Sequence, residues 1–218
     1  MQVNQKSVKA EPRPTPAQRR KAEATRQALL DAARVVIARD GYTNARIVDI
    51  AREAGKSAGV FYSYFEDKTE LFSALVDAFY QDVKRFTPPP AEYEEHTASA
   101  VRSSVAAFWG AFRQFHPEMM GLQETALSDP ALLLVWRKIR QQGIRRFAFR
   151  IRKQQALGKC VGMDPDLSAS ALQGLLEFTC FNWHSGKLDF PDATLDDAKA
   201  IDTLYQIIAR ALELELPA

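Results

Sequence analysis

Apolar positions along this chain recur three and four residues apart almost from end to end, the spacing of one helix face, and no stretch alternates with the period of two that a half-buried strand needs. Thr15-Pro16-Ala17-Gln18 fits a helix start, with Thr15 as cap, Pro16 in the first turn and Gln18 three residues after the cap. Leu29, Ala33, Val36 and Ile37 then form one stripe that ends at Asp40-Gly41, and Tyr42 is placed to pack back on the helices that follow. Ile47, Ile50, Ala51 and Ala54 fall on one face, with Asp49, Arg52 and Glu53 on the other, which predicts a short amphipathic helix. Gly55 allows the left-handed turn that stops it, and the Ser57 hydroxyl can cap the next helix, Ala58 to Phe65, anchored by Phe61 and Phe65 at i and i+4. The small residues before Phe61 let a backbone come close, and the face opposite the two phenylalanines is free for a partner.

The next pattern, Lys68 to about Arg85, carries Leu71, Phe72, Leu75, Phe79 and Val83 on one side and reads as a connector. Thr87-Pro88-Pro89-Pro90 breaks it, because proline lacks an amide hydrogen and biases the residue before it out of helix. Five more helical patterns follow, at about Thr97–Phe115, Pro117–Leu127, Pro130–Gln155, Leu167–Ser185 and Leu195–Leu214. His116-Pro117, Ser128-Asp129-Pro130, Gly158, Asp164-Pro165 and Gly186 to Pro191 separate them, so the chain is expected to be all-α with about nine helices.

The segment from Ala45 to Leu71 describes a helix-turn-helix, and in detail it resembles the DNA-binding domain of the TetR family of bacterial repressors. Gly41-Tyr42, Ile50-Ala51, Ala54-Gly55, Ser57, Gly59, Phe61-Tyr62, Tyr64-Phe65, Lys68 and Leu71 occur in the family's order without a gap. The likeness covers roughly residues 25 to 72, and the rest agrees in helical character and length. A bare helix-turn-helix is a weak signal, whereas this many residues at fixed spacing is a strong one. Two positions depart: Lys56 stands where the family commonly has an apolar residue, and Val60 where it often has threonine.

The resemblance implies a division into a disordered basic arm (1–15), a DNA-binding domain (16–67) and a ligand-binding and dimerisation domain (68–218) that opens with the connector (68–85). It places Tyr62, Ser63 and Tyr64 in the major groove, where hydroxyls bond base edges or phosphate oxygens. Contacts at Lys56 and Val60 do not carry over from the family; from the residue types themselves, Gly59 allows close approach and Ala58 or Val60 could pack on a thymine methyl. Arg46, Ser57 and Lys68 would hold backbone phosphate. It also implies a ligand cavity walled by the middle helices, for which Trp109, Phe112, His116, Met120, Trp136 and Phe178 are the candidates. Pairing through the last two helices as a four-helix bundle would use Leu172, Leu176, Trp183, Leu204, Ile208 and Leu212, part of an apolar set wider than one buried face. The implied partners are a pseudo-palindromic duplex operator, a small apolar or amphipathic ligand and a second copy of the chain.

Charge supports this only once it is divided along the chain. Residues 1–68 carry thirteen Lys/Arg against eight Asp/Glu, a surplus of five, although the net charge of all 218 residues is only +2. A polyanion is drawn to that end by counterion release, aided by Lys6, Lys9 and Arg13 in the arm and by Arg19, Arg20, Lys21 and Arg26 on the first helix. A second basic row, Arg137, Lys138, Arg140, Arg145, Arg146, Arg150, Arg152 and Lys153, could meet an anionic ligand, but its spread around the helix reads as a solvated surface.

Other chemistry is excluded piece by piece. No apolar run approaches the ~18 residues of a membrane span and the amino terminus lacks a secretory core, so a cytoplasmic protein is expected. Cys160 and Cys180 show no metal-ligand or disulfide spacing and read as reduced thiols. His96, His116 and His184 are scattered away from any nucleophile motif, and no phosphate loop occurs, so neither an enzyme nor a bound cofactor is expected. A ligand-responsive homodimeric repressor is therefore the expectation. An activator or ligand-independent DNA binder, and then an all-α enzyme or carrier with a vestigial helix-turn-helix, are the alternatives.

Overall fold

A computed structural model describes residues 15–86, 97–184, 189–190 and 195–215. The cationic arm with Lys6, Lys9 and Arg13, the Thr87–Pro90 loop, His96 and most of the Gly186–Pro191 break lie outside the described residues. Among those described there are nine helices and no strand: α1 Pro16–Asn44, α2 Ile47–Glu53, α3 Ala58–Tyr62, α4 Lys68–Phe86, α5 Ala98–Gln114, α6 His116–Thr125, α7 Pro130–Ala156, α8 Pro165–His184 and α9 Asp197–Ala211.

Helix starts follow the expected chemistry. Thr15 and Gln18 form a reciprocal capping box, Thr97 caps α5, and the Asp129 and Asp196 carboxylates each accept two amide hydrogens at the starts of α7 and α9. The Asp164 carboxylate does the same before α8, at 3.0 Å from the Asp166 amide and 2.8 Å from that of Leu167. α1 is helical only to Asp40 in the strict sense, since Gly41 lies at φ 75°, ψ 158° and turns the chain so that Tyr42 swings into the core.

One continuous apolar core runs from Leu29 to Leu212. The α1 stripe of Leu29, Ala33, Val36 and Ile37 is fully buried, and Tyr42 meets Phe72 of α4 at 4.4 Å between ring centroids. α6 lies along α1, α7 runs beside α8, and α9 packs on α5. The three-helix unit is thus seated on the larger domain by two elements, α4 and α6. That seat includes an ion pair, Arg34 Nε to the buried Glu118 Oε1 at 3.2 Å, with the Arg34 guanidinium stacked over Phe115.

Most of the residues expected at a dimer interface also serve the single chain. Leu172, Leu176, Leu204, Ile208 and Leu212 are buried within the single chain, and Trp183 is half-buried edge-on to Trp109. They form the protomer's own core, because the inner faces of α8 and α9 are taken by α7 and α5 respectively. The apolar side chains that these helices turn outward are others: Leu167, Phe178 at 59% exposure and Ile207 at 44%.

Candidate DNA-binding surface and ligand cavity

α2 is held by burial of Ile50 and Ala51 and closed by Gly55 at φ 64°, with the Lys56 amide donating to the Ala51 carbonyl at 2.8 Å. Ser57 then opens α3, its hydroxyl accepting from the Val60 amide at 3.3 Å. Phe61, fully buried, pins α3 from below. Regular α-helix ends at Tyr62 rather than at Phe65, but the Tyr64 and Phe65 amides both still donate to the Phe61 carbonyl, so one loosened turn continues the rod.

This anchoring decides which face of α3 points out. Ser57, Gly59, Tyr62 and Ser63 are exposed, with Tyr62 at 58%. Ala58 and Val60 are half-buried, and Tyr64 is half-buried against the core, which leaves it less to offer a partner than Tyr62. Ser63 Oγ donates back to the Gly59 carbonyl at 3.2 Å but keeps its acceptor capacity. Arg46, exposed beside this face, pairs with Asp49 at 2.7 Å, and Arg52 shares the same carboxylate at 2.9 Å. The hydrogen bond from Arg46 is the main cause that holds the Asp49 carboxyl below its ordinary range. Exposed pairs of this kind are weak, so phosphate can compete for Arg46.

Lys68 differs from expectation. Its ammonium donates to the carbonyls of Tyr42 at 2.8 Å, Ala45 at 3.0 Å and Thr43 at 3.3 Å, and sits 4.4 Å from the Tyr42 ring centroid. All three of its donors point into the α1–α2 turn, so in this structure it staples the domain rather than presenting a charge to the solvent. Cationic groups that do face outward are Arg19, Arg20 and Lys21 on the exposed first turns of α1, and Lys56 beside Ser57.

In the larger domain the six expected ligand residues do not converge. Trp109, Phe112 and His116 meet His184 in an aromatic cluster, with the His184 ring 4.1 Å from Trp109 and stacked on Phe112 at 5.7 Å. Trp109 Nε1 donates to Asp197 Oδ1 at 3.0 Å, and Arg113 pairs with the same carboxylate. This cluster welds α5, α8 and α9 together. Met120 and Trp136 are half-buried elsewhere, and Phe178 points to solvent.

A cavity of about 50 Å³ lies instead between α5, α7 and α8, and none of the six lines it. Its apolar wall includes Val105, Phe108, Phe147 and Leu176; its polar wall includes Ser104, Gln142, Gln173, Arg146 and Arg150. Arg150, expected on a solvated surface, is 3% exposed and donates to Ser104 Oγ at 2.8 Å. Arg140 also turns inward, onto the buried Glu177, whose carboxyl additionally accepts from Gln173 Nε2 at 2.7 Å. The signal for this inner row was present in the sequence. Ile139, Gly143, Phe147, Arg150, Ile151 and Gln154 share one face at helical spacing, which carries Arg150 inward with the apolar residues. Among the described residues no group of three or more His, Cys, Asp or Glu could hold a metal, and no helix is long and apolar enough to cross a membrane.

The chain resembles known proteins in its amino-terminal sequence and in its overall fold. The family model for bacterial regulatory proteins of the tetR family matches residues 29–75, from mid-α1 into α4. The HTH-type transcriptional regulator BetI of Agrobacterium fabrum is 40% identical over 60 residues, 28% of this chain and 29% of that protein. AcrR of Shigella flexneri, likewise an HTH-type transcriptional regulator, is 35% identical over 57 residues, 26% of each chain. These matches span less than a third of either curated relative. Among solved structures, the fatty acid degradation regulator FadR of Bacillus halodurans superposes with a TM-score of 0.72, covering 94% of this chain and 100% of that one at 19% identity. A transcriptional regulator FadR from Bacillus subtilis, solved in complex with stearoyl-CoA, gives 0.71 over 85% of this chain and 98% of that one, also at 19%. At such identities the likeness establishes the fold.

Proposed function

The helix-turn-helix segment of this chain belongs to the tetR family of bacterial regulatory proteins, and on that premise we propose that the protein is a homodimeric, ligand-responsive transcriptional repressor. The observation that carries the reading is α3: the fixed Gly55 turn and the buried Phe61 leave Ser57, Gly59, Tyr62 and Ser63 facing out together. Tyr62 and Ser63 offer hydroxyls to base edges or phosphates, and Arg46, Lys56 and the α1 cations supply the salt-dependent attraction. Residues 16–67 act as the DNA-binding domain and residues 68–218 as the ligand-binding and dimerisation domain. The protein works where the chromosome is, and no step requires catalysis.

Two-fold pairing through the outward faces of α8 and α9 would set two α3 helices against successive major grooves of a pseudo-palindromic operator. Ligand entering among the middle helices would favour a placement of α4 and α6 in which those helices no longer fit. It acts only through its differential affinity for the two placements, and a coupling of ~1–3 kcal/mol changes operator affinity about 5- to 150-fold. An amphipathic molecule is the first class to try, given that one structural neighbour holds stearoyl-CoA. The test is binding of the full chain to DNA upstream of its own coding sequence. Tyr62→Ala is expected to weaken it by about 1–3 kcal/mol. Undiminished binding by both Tyr62→Ala and Ser63→Ala refutes the assignment of α3.

A further inference from the structure

With Lys68 turned inward, Arg46 is the expected phosphate-binding cation that stays exposed beside α3, and the structure ties it to a second one. Arg46, Asp49 and Arg52 stand three residues apart, so they line one edge of α2, away from the buried Ile50 and Ala51. Asp49 Oδ2 accepts from Arg46 Nε at 2.7 Å, and Oδ1 accepts from Arg52 Nη1 at 2.9 Å. The Asp49 side chain is only 12% exposed against 74% for Arg46 and 77% for Arg52, so the anion sits beneath and both cations stand outside it. Arg39, the other arginine whose charge feels this carboxylate, is engaged at two points by Asp40 and does not displace either. A guanidinium carries five N–H donors in a fixed fork, and Asp49 occupies one edge of each. Among the described residues no other hydrogen bond or ion pair engages these two arginines, so their remaining N–H groups can meet a phosphate while the carboxylate holds the opposite edge.

We infer that Asp49 is a positioning residue for DNA: it holds Arg46 and Arg52 as one phosphate grip on the outer edge of α2, and its own negative charge keeps that grip from closing on duplex that α3 does not fit. Two freely rotating guanidinium groups would bind phosphate wherever the protein landed, since backbone charge is the same at every sequence. Held on Asp49, they favour a phosphate that arrives on the side of their free N–H groups, and an approach from any other side meets the repulsion of the carboxylate. Phosphates reach that favoured side when Tyr62 and Ser63 seat in a groove that suits them. The pair therefore adds little to random binding and its full contribution to the fitted complex, which widens the difference between the two. The inference rests on the DNA-binding reading above. Within it, Arg52 becomes a phosphate contact, and Asp49 sets the margin between operator and other DNA.

The experiment selects a preferred duplex from a random library with the full-length protein, then measures binding of that duplex and of a scrambled one by fluorescence anisotropy across a potassium chloride series. Asp49→Asn is expected to narrow the ratio of the two affinities by at least about tenfold, with binding of the scrambled duplex held or tightened, a response that loss of folded protein does not give. Arg52→Gln is expected to reduce the slope of log affinity against log salt by about one on the selected duplex. Thermal unfolding confirms that each variant is folded at the assay temperature, and if Asp49→Asn is not, the slope of Arg52→Gln decides. An unchanged ratio in Asp49→Asn, equal tightening on both duplexes included, or the parent's slope in Arg52→Gln overturns the inference. Failure of the parent protein to enrich any sequence sinks the regulator reading and this one with it, whereas enrichment with an unchanged Asp49→Asn ratio sinks this one alone.

Discussion

Lys68 reaches back across 26 residues to place its ammonium 2.8 Å from the Tyr42 carbonyl and over the ring of the same tyrosine. The first residue of α4 thereby closes the turn between α1 and α2. Burial lowers its pKa from the ordinary lysine value, and the three carbonyl acceptors are the partners that favour the charged form. Lys68→Ala strands those carbonyls and is expected to cost about 1–3 kcal/mol of stability, read from urea unfolding. Operator affinity should fall with that stability while the slope of log affinity against log salt stays as in the parent. A slope reduced by about one would return Lys68 to the phosphate contacts.

Gly121 of α6 faces Tyr42 so closely that an added Cβ would stand 2.6 Å from the tyrosine Cβ. Neither atom is the end of a flexible chain, so the two helices themselves must separate. Gly121→Ala is expected to destabilise by about 1–3 kcal/mol through overpacking. It should also shift α1 and α2 relative to α6, so operator affinity is expected to drop even at temperatures where the variant remains folded, as checked by circular dichroism beside a gel-shift titration. Unchanged affinity in a folded variant would disconnect α6 from the DNA-binding unit.

What could be read before any coordinates follows from the range of the interactions. The Thr15 cap, the Gly55 turn, the Ser57 cap and the Phe61 anchor all act within five residues, so local pattern sufficed for the helix-turn-helix and for the outward placement of Tyr62. The intramolecular bonds of Lys68 were not legible because its partners lie 23 to 26 residues away and depend on how the chain reverses. The burial of Leu204 and Ile208 within the single chain was not legible for a different reason: an apolar face says that something covers it and not whether the cover is α5 or another copy. Arg150 belongs to a third kind. Its charge suggested solvent, but its register with Phe147 and Ile151 carried it inside, and position prevailed over residue type.

That distinction between inner and outer faces yields an assembly prediction. Phe178→Asp and Ile207→Asp place charge on the outward faces of α8 and α9, where the single chain tolerates it, and are expected to convert a dimer to a monomer in light scattering with little loss of helicity. Leu204→Ala is expected instead to cost about 2–5 kcal/mol of stability by leaving a cavity under α5. If Phe178→Asp and Ile207→Asp both remain dimeric, the subunits meet elsewhere.

Two desolvated groups, the half-buried His184 and the buried Glu177, pull the acid response in opposite directions. Burial in the aromatic cluster, aided by repulsion from His116, pushes His184 down to about 4 from an ordinary 6.5. A protonated His184 is therefore better tolerated in the unfolded chain, and stability is lost as pH falls from about 6.5 towards about 4. Burial raises Glu177 from 4.5 to about 7, so its contribution is present below 4.5 and is lost as pH rises through about 7. Where the windows overlap, the two slopes partly cancel, and single variants expose them. His184→Phe keeps a flat ring against Trp109 and removes the proton site, so its urea midpoint should fall less than the parent's between about pH 7 and about pH 5. Glu177→Gln should do the reverse, flattening the decline on the alkaline side and leaving the acid slope steeper. Matching profiles for the parent and His184→Phe would mean that the ring is hydrated in the folded protein and that the cluster does not exclude water from it.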